Sequence, residues 1–199
     1  MPPDSTATKA RLLAAALGEF AQHGVAGARV DRIALSARAN KRLLYVYFGN
    51  KRELFDIVVA ATLDRLASEV PYVAGDLPGY AGALFDHLTA RPAVLRLVTW
   101  AFLERPEPLA ARVAACHPVA EDRSTAPGHR AGAGTLEPLD VLALTVGLAS
   151  ACSLPTAPPR PPATSSAWCG AARGAVDATA LRARRRAALT RAVSAAAGP

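Results

Sequence analysis

From Thr8 onward, apolar residues recur at helical spacing. Leu13, Leu17 and Phe20 lie four and three positions apart with Ala16 and Ala21 beside them, and Gly24 follows as a stop. This pattern predicts a first helix over 8–23. Residues 1–7 carry no such stripe and are expected to be disordered. Val30, Ile33, Ala34 and Ala37 form a one-sided stripe only two turns long, so the segment must pack on its neighbours to be helical. After a link at 38–40, Leu44 and Phe48 sit four apart on the buried side of a third short helix. Gly49 ends it. Asn50 then reads as an N-cap with Glu53 at N3, a capping-box arrangement opening a fourth helix. That helix runs through Leu54, Ile57, Val58, Ala61, Leu63 and Leu66 to about Val70, and Pro71 closes it.

Beyond Pro71 the periodicity predicts helices over 77–89, 92–103 and from 107 to Cys116, the last with scope to extend beyond Pro118. Leu84, Phe85 and Leu88 line the first. Leu95, Val98, Trp100 and Phe102 belong to the second, which is apolar nearly all round and so expected to be buried. Residues 123–134 read as a loop. The strongly apolar stretch 136–154 carries Leu139, Leu142, Val146 and Ala149 on one stripe, and 154–165 is a proline-rich connector. A last helix is expected over 166–195, with Gly170 and Gly174 as possible breaks. There is no internal repeat.

Hydrophobic residues make up 51% of the 199, enough for a buried core, and much of that share is alanine. Runs of Val, Ile, Tyr and Thr that favour strands are almost absent, so the expected class is all-α. The net charge of +7 is unevenly placed: residues 1–55 hold nine Lys/Arg against four Asp/Glu, residues 56–172 hold eight against eleven, and residues 173–199 hold six against one. A basic head on an acidic middle points to a polyanionic partner for the head.

Cys116, Cys152 and Cys169 form neither a CxxC nor a Cys/His ligand spacing, and an odd count supports no disulfide framework. His23, His87, His117 and His129 are scattered, without the i, i+4 spacing of a helical metal pair. No Ser/His/Asp or Cys/His constellation has interpretable spacing, and no Gly-rich phosphate loop precedes a helix, so neither an enzyme nor a cofactor is expected. The N-terminus has no apolar core of signal-peptide length, and no apolar run reaches ~18 residues. A cytoplasmic protein without a membrane partner is the expectation.

Two short helices joined by about three residues, the second basic and aromatic on its exposed side, form a helix-turn-helix pattern, in which the second helix lies in the major groove. Thr8, Phe20, Gly24, Ile33, Ala34, Leu44, Tyr45, Tyr47, Phe48, Lys51 and Leu54 stand at a spacing that resembles the DNA-binding domain of the TetR family of bacterial transcriptional regulators. LLYVYFGNKRELF is the most diagnostic piece. The resemblance implies an all-helical protein with a helix-turn-helix DNA-binding domain over 8–50 and a helical regulatory domain over 51–199. Its recognition helix corresponds to 41–47. By that correspondence Lys41, Arg42 and Leu43 sit nearest the base edges, Tyr45 and Tyr47 approach phosphates or thymine methyls, and Lys51 meets a phosphate. Asn40 and Arg29 complete the expected DNA-facing set. Arg42 is able to take a guanine bidentately.

Departures from the family pattern occur at the head. Arg38 stands where the turn usually has glycine, so either it adopts positive φ or the turn differs. Arg29 replaces a threonine, Arg42 and Leu43 replace smaller residues, and Val46 replaces an aromatic. For the body, the resemblance implies a small-molecule effector pocket and dimerisation through the last two long helices. Phe85, His87, Trp100, Phe102, Cys116 and His117 are the candidate pocket lining, although aromatics at helical spacing also fit a plain core. Leu139, Leu142, Val146 and Ala149 are the candidate dimer face. Arg182, Arg184, Arg185 and Arg186 either touch nucleic acid or form a solvated face paired with acidic residues such as Asp140. The functional expectation is a homodimeric, ligand-responsive repressor on double-stranded operator DNA. An enzyme or carrier with a basic anchor and a constitutive architectural DNA binder are the competing classes.

Overall fold

A computed structural model describes residues 5–73, 76–116, 136–152 and 177–197. Among the described residues the secondary structure is entirely helical: α1 (Ser5–Gly27), α2 (Val30–Ser36), α3 (Lys41–Phe48), α4 (Lys51–Glu69), α5 (Leu77–Ala90), α6 (Pro92–Glu104), α7 (Pro106–Cys116), α8 (Pro138–Cys152) and α9 (Ala178–Ala197). The all-α expectation holds. No described helix is long and apolar enough to cross a membrane. The loop at 123–134, the connector at 154–165, His117 and the helical start expected at 166 lie outside the described residues.

α1 begins at Ser5, so residues 5–7 extend the helix rather than leaving it frayed at Thr8. Thr8 is itself buried, and its hydroxyl accepts from Arg11 Nη2 at 3.2 Å. At the other end Gly24 takes φ 63, ψ −170, which breaks the helix where the sequence places its stop, and a last turn follows to Gly27. A Cβ at Gly24 would stand 2.6 Å from Glu104 Oε1 and 2.9 Å from the Trp100 ring. Both the backbone angle and the close approach of α6 therefore require glycine there.

The head is α1 to α3 closed by the start of α4. Leu12, Ala16, Phe20, Ile33, Leu44, Leu54 and Phe55 have no exposed surface, and Phe20 meets Phe55 edge to face with centroids 5.1 Å apart. Leu13 and Leu17, which share a stripe with Phe20 in sequence, are only half-buried. On α4 the buried positions are Leu54, Phe55, Val58, Val59, Thr62, Leu63 and Leu66, while Ile57 and Ala61 face outward.

α6 joins head and body. Its Arg96 Nε donates to Ala21 O at 3.2 Å, its Glu104 accepts from Val25 N at 2.7 Å, and Trp100 packs at Gly24. The end of α1 is thus satisfied by side chains from the body. α4 is tied to the body by ion pairs from Asp56 to Arg105 (2.5 Å) and from Asp64 to Arg112.

The stripe expected to form a dimer face lies inside the protomer. Leu142, Val146 and Ala149 are buried, and Leu139 is half-buried against the same core, because α8 packs on α5, α6, α7 and α9. The Leu142, Val146 and Ala149 side of α8 is covered within the chain. The exposed positions of α8 include Asp140, Ala143, Leu144 and Gly147. Nor does Asp140 meet the arginine cluster: its carboxylate accepts from Glu137 N at 3.0 Å, and Arg186 pairs instead with Asp86 on α5 at 2.7 Å.

Candidate nucleic-acid interface

The local sequence builds α3 as a rigid, separately capped unit. Asn40 adopts an extended conformation, and its side chain accepts from Arg42 N at 2.8 Å, closing the N-terminus. Gly49, at φ 71, turns the chain out of the helix. Asn50 Oδ1 then accepts from Arg52 N (2.9 Å) and Glu53 N (3.0 Å), while Glu53 Oε2 accepts from Asn50 N at 3.0 Å, which completes the capping box. In the turn before α3, Arg38 has φ 50, the only non-glycine residue with positive φ among those described. Of the two alternatives left open by the missing glycine, the chain takes the strained one.

Several cations of the head are engaged in contacts that hold the motif together. Glu19 of α1 accepts from Arg29 N (2.8 Å) and pairs with Arg32 of α2 (2.5 Å). Burial pushes the Glu19 carboxyl up, but its hydrogen bonds to Arg32 and the Arg29 backbone outweigh this and hold its pKa below the ordinary value. Arg11 Nε reaches Ala37 O at 3.3 Å, which pins the end of α2 to α1. Lys51 Nζ donates to Ala28 O (3.0 Å) and Ala26 O (3.3 Å), fastening the start of α4 to the segment that leads into α2. Lys41 pairs with Asp31 at 2.7 Å, a contact that raises the lysine's pKa.

The outward face of α3 is accordingly narrower than its charge count implies. Lys41, Arg42, Tyr45 and Val46 are exposed, Tyr45 to 47% and Val46 to 66%. Leu43 and Tyr47 are half-buried. Tyr47 stands edge to face on Phe48 with Lys9 of α1 over its ring at 4.9 Å, so its ring is already engaged on one side. Asn40 is exposed, but its side-chain oxygen is taken by the cap. Arg29, Arg38, Arg42 and Arg52 are the head's guanidinium groups that hold no partner among the described residues. The free Arg42 on a capped helix with an apolar underside of Leu44 and Phe48, and further free guanidinium groups on the adjoining segments, suit a phosphate backbone and base edges.

Lys9, which reaches α3 at Tyr47, and the exposed Arg52 and Leu35 of the same head (Leu35 to 80%) are not among the residues the sequence singles out. Arg52 had a signal, a second basic residue in the first turn of α4. Lys9 had none, because its partner Tyr47 is distant along the chain.

In the body, the candidate lining residues do not converge on one cavity. Phe85 is a core residue. Trp100 packs under Gly24, Phe102 is a half-buried neighbour of the core, and Cys116 Sγ lies 3.5 Å from Asp64 Oδ1. Burial pushes the Cys116 thiol pKa up, and the Asp64 contact acts in the same direction. Phe85 and His87 border different clefts: Phe85 lines a gap of about 440 Å³ between α5 and α9, and His87 the second of the two described next. The first cleft, about 310 Å³, lies between α4, α6 and α7 and includes Phe55, Val59, Ala101, Arg105, Leu109 and Arg112. The second, about 340 Å³, lies between α1, α4 and the corner joining α5 to α6, and His87 is at its edge. Periodicity identified these side chains as apolar and inward, but it carries no information about which inward positions face a gap. No group of three or more His, Cys, Asp or Glu residues able to hold a metal occurs among the described residues.

Comparison with known proteins matches two stretches of the chain to family models. Residues 12–58 match the model for Bacterial regulatory proteins, tetR family, and residues 76–194 match the model for Tetracyclin repressor-like, C-terminal domain. The HTH-type transcriptional repressor SCO4008 of Streptomyces coelicolor is 50% identical over 101 residues, a match covering 51% of this chain and 53% of that protein. The HTH-type transcriptional repressor NicS of Pseudomonas putida is 40% identical over 48 residues, 24% of this chain and 23% of NicS. These matches thus span about half of SCO4008 and a quarter of NicS. Among solved structures, the transcriptional regulator SCO4942 from Streptomyces coelicolor is 37% identical, covers 94% of this chain and 97% of its own, and superposes with a TM-score of 0.60. A tetR family transcription regulator from Shewanella sp. PV-4, 17% identical with a TM-score of 0.58, shares the fold.

Proposed function

The chain belongs to the TetR family of bacterial transcriptional regulators, and on that premise we propose that it is a cytoplasmic repressor that binds a near-palindromic operator as a homodimer. Each protomer inserts α3 into the major groove of one half-site, the two half-sites lying ~34 Å or a multiple of it apart. Arg42 reads a base edge. Tyr45 and the exposed Val46 contact backbone or thymine methyl groups, and Arg29, Arg38 and Arg52 meet phosphates. The observation that carries this reading is the selective freedom of Arg42: on a helix capped at both ends, its guanidinium points outward while Lys41 and Lys51 are held by Asp31 and by backbone carbonyls. Lys51 accordingly positions the α1–α2 segment, and any contact it makes with phosphate is secondary.

Release follows from a small-molecule effector in the body that binds the DNA-bound and free states unequally. α4 carries Asp56 and Asp64 to the body, and α6 grips the end of α1 through Arg96, Trp100 and Glu104, so both helices transmit a displacement to the head. For the second protomer, the outward side of α8 at Ala143, Leu144 and Gly147 is the available face, together with α9. The test is fluorescence anisotropy on DNA from the promoter region beside the protein's own gene, with sedimentation to count protomers. The expected result is a salt-sensitive, sequence-selective complex of two protomers per operator. Weak binding that is uniform across sequences refutes the regulatory reading.

A further inference from the structure

The second cleft combines an apolar bed with a cationic rim. Leu13 and Leu17 of α1, Val58 and Leu66 of α4 and Val94 of α6 line it. Leu13, Leu17 and Val94 remain half-exposed there, so the packing of three helices leaves apolar surface open to a gap of about 340 Å³. Ligand pockets begin at about 300 Å³, which limits an occupant to a small molecule.

Its rim carries Arg65, Arg91 and His87 around one carboxylate, Glu69. Arg65 Nε donates to Glu69 Oε1 at 2.6 Å, and Arg91 Nη2 lies 2.8 Å from Glu69 Oε2. Arg91 Nη1 stands 3.0 Å from His87 Nδ1, and His87 Nδ1 is 3.6 Å from Glu69 Oε2. A guanidinium can only donate, so Nδ1 accepts from Arg91, and His87 is the neutral tautomer with its proton on Nε2. Burial lowers the His87 pKa in the same sense. Each guanidinium offers five N–H donors in a fixed fork, and Glu69 engages one nitrogen of each. Two permanent cations therefore face a single anion beside an apolar bed.

We propose that this cleft between α1, α4 and the α5–α6 corner is a binding site for a small amphipathic carboxylate. Its acid group sits on the Arg91 and Arg65 forks beside Glu69, and its apolar body lies on Leu13, Leu17 and Val94. A carboxylate matches the paired donors of a guanidinium, whereas a neutral amide can accept at one oxygen only. The site deepens the effector reading and rests on it only for its consequence at the head. That consequence follows from α1, which turns Leu13 and Leu17 to the cleft and Leu12, Ala16 and Phe20 to the head core.

The test uses the full chain without DNA. Phenylacetate and its neutral counterpart phenylacetamide are titrated by calorimetry into the unmodified protein and into Arg91→Ala, Arg65→Ala and Arg112→Ala. Phenylacetate is expected to bind about tenfold or more tightly than the amide, and Arg91→Ala to lose about tenfold or more, because a hydrogen bond to a charged group is at stake. Arg112→Ala, at the other cleft, is expected to bind as the unmodified protein does. No binding of phenylacetate, equal binding of acid and amide, or affinity lost in Arg112→Ala and kept in Arg91→Ala overturns the proposal. The comparison of acid with amide needs no variant, so it stands even if Arg91→Ala is poorly folded. Because DNA is absent, failure here leaves the operator reading intact, and failure of operator binding leaves this site intact.

Discussion

Replacing Arg38 by glycine and, separately, by alanine removes the same guanidinium, so the difference between the two variants isolates one Cβ at φ 50. A left-handed conformation costs an L-residue roughly 1–2 kcal/mol. Glycine removes that cost but adds freedom to the unfolded chain, which returns about 0.4–1 kcal/mol. At mid-range the balance leaves Arg38→Gly more stable than Arg38→Ala by about 0.8 kcal/mol. For a chain of 150–250 residues each 1 kcal/mol moves the melting temperature by about 2–4 °C, so the glycine variant should melt about 2–3 °C above the alanine variant. Circular dichroism melts under matched conditions, with urea titration as a second scale, measure this. Both variants should lose DNA affinity equally, since both lack the cation. An alanine variant as stable as the glycine variant, or more so, refutes the strained-turn account.

Gly24→Ala places a Cβ against Glu104 and Trp100 at positive φ, and it should destabilise the chain by about 1–3 kcal/mol with a shift in tryptophan emission. An unchanged melt shows that α6 does not grip α1 there. Lys51→Ala should lower stability and weaken binding to every DNA sequence while leaving the salt slope nearly unchanged. A fall in slope of about 1 instead assigns Lys51 to a phosphate. Burial pushes the Tyr80 phenol up to about 12. Its folded pKa is thus above its unfolded value, so the stability it contributes is fully present below about pH 10 and is lost as pH rises through about 12. Tyr80→Phe should make the alkaline limb of stability shallower, and an unaltered limb excludes this phenol as its source.

Much of the head was legible because its signals are local. The N-cap at Asn50 with Glu53, the stop at Gly49, the pair Leu44 and Phe48 and the break at Gly24 each depend on residues within one or two turns, and all four stand as read. Long-range pairing was not legible. Lys51 and Lys41 read as free cations, but the carbonyls of Ala26 and Ala28 and the Asp31 carboxylate hold them. The body was less legible still. Its helices follow apolar periodicity closely, yet periodicity alone cannot tell a face buried by the same chain from one buried by a partner. Leu142, Val146 and Ala149 were therefore assigned to a partner, whereas α5, α6 and α9 cover them. The candidate lining residues do not converge for a related reason: Trp100 is inward with α1 in front of it, while Phe85 and His87 border two different gaps.

Arg42 is the residue on which the reading of α3 depends most. Anisotropy titrations of the unmodified protein and Arg42→Ala, on promoter DNA and on the same DNA with each base pair substituted in turn, test that reading most directly. The account predicts that Arg42→Ala loses about 1–3 kcal/mol on the native sequence and that its base preference collapses at one position in each half-site while the others keep theirs. An equal loss on every sequence, with the base profile unchanged, contradicts it.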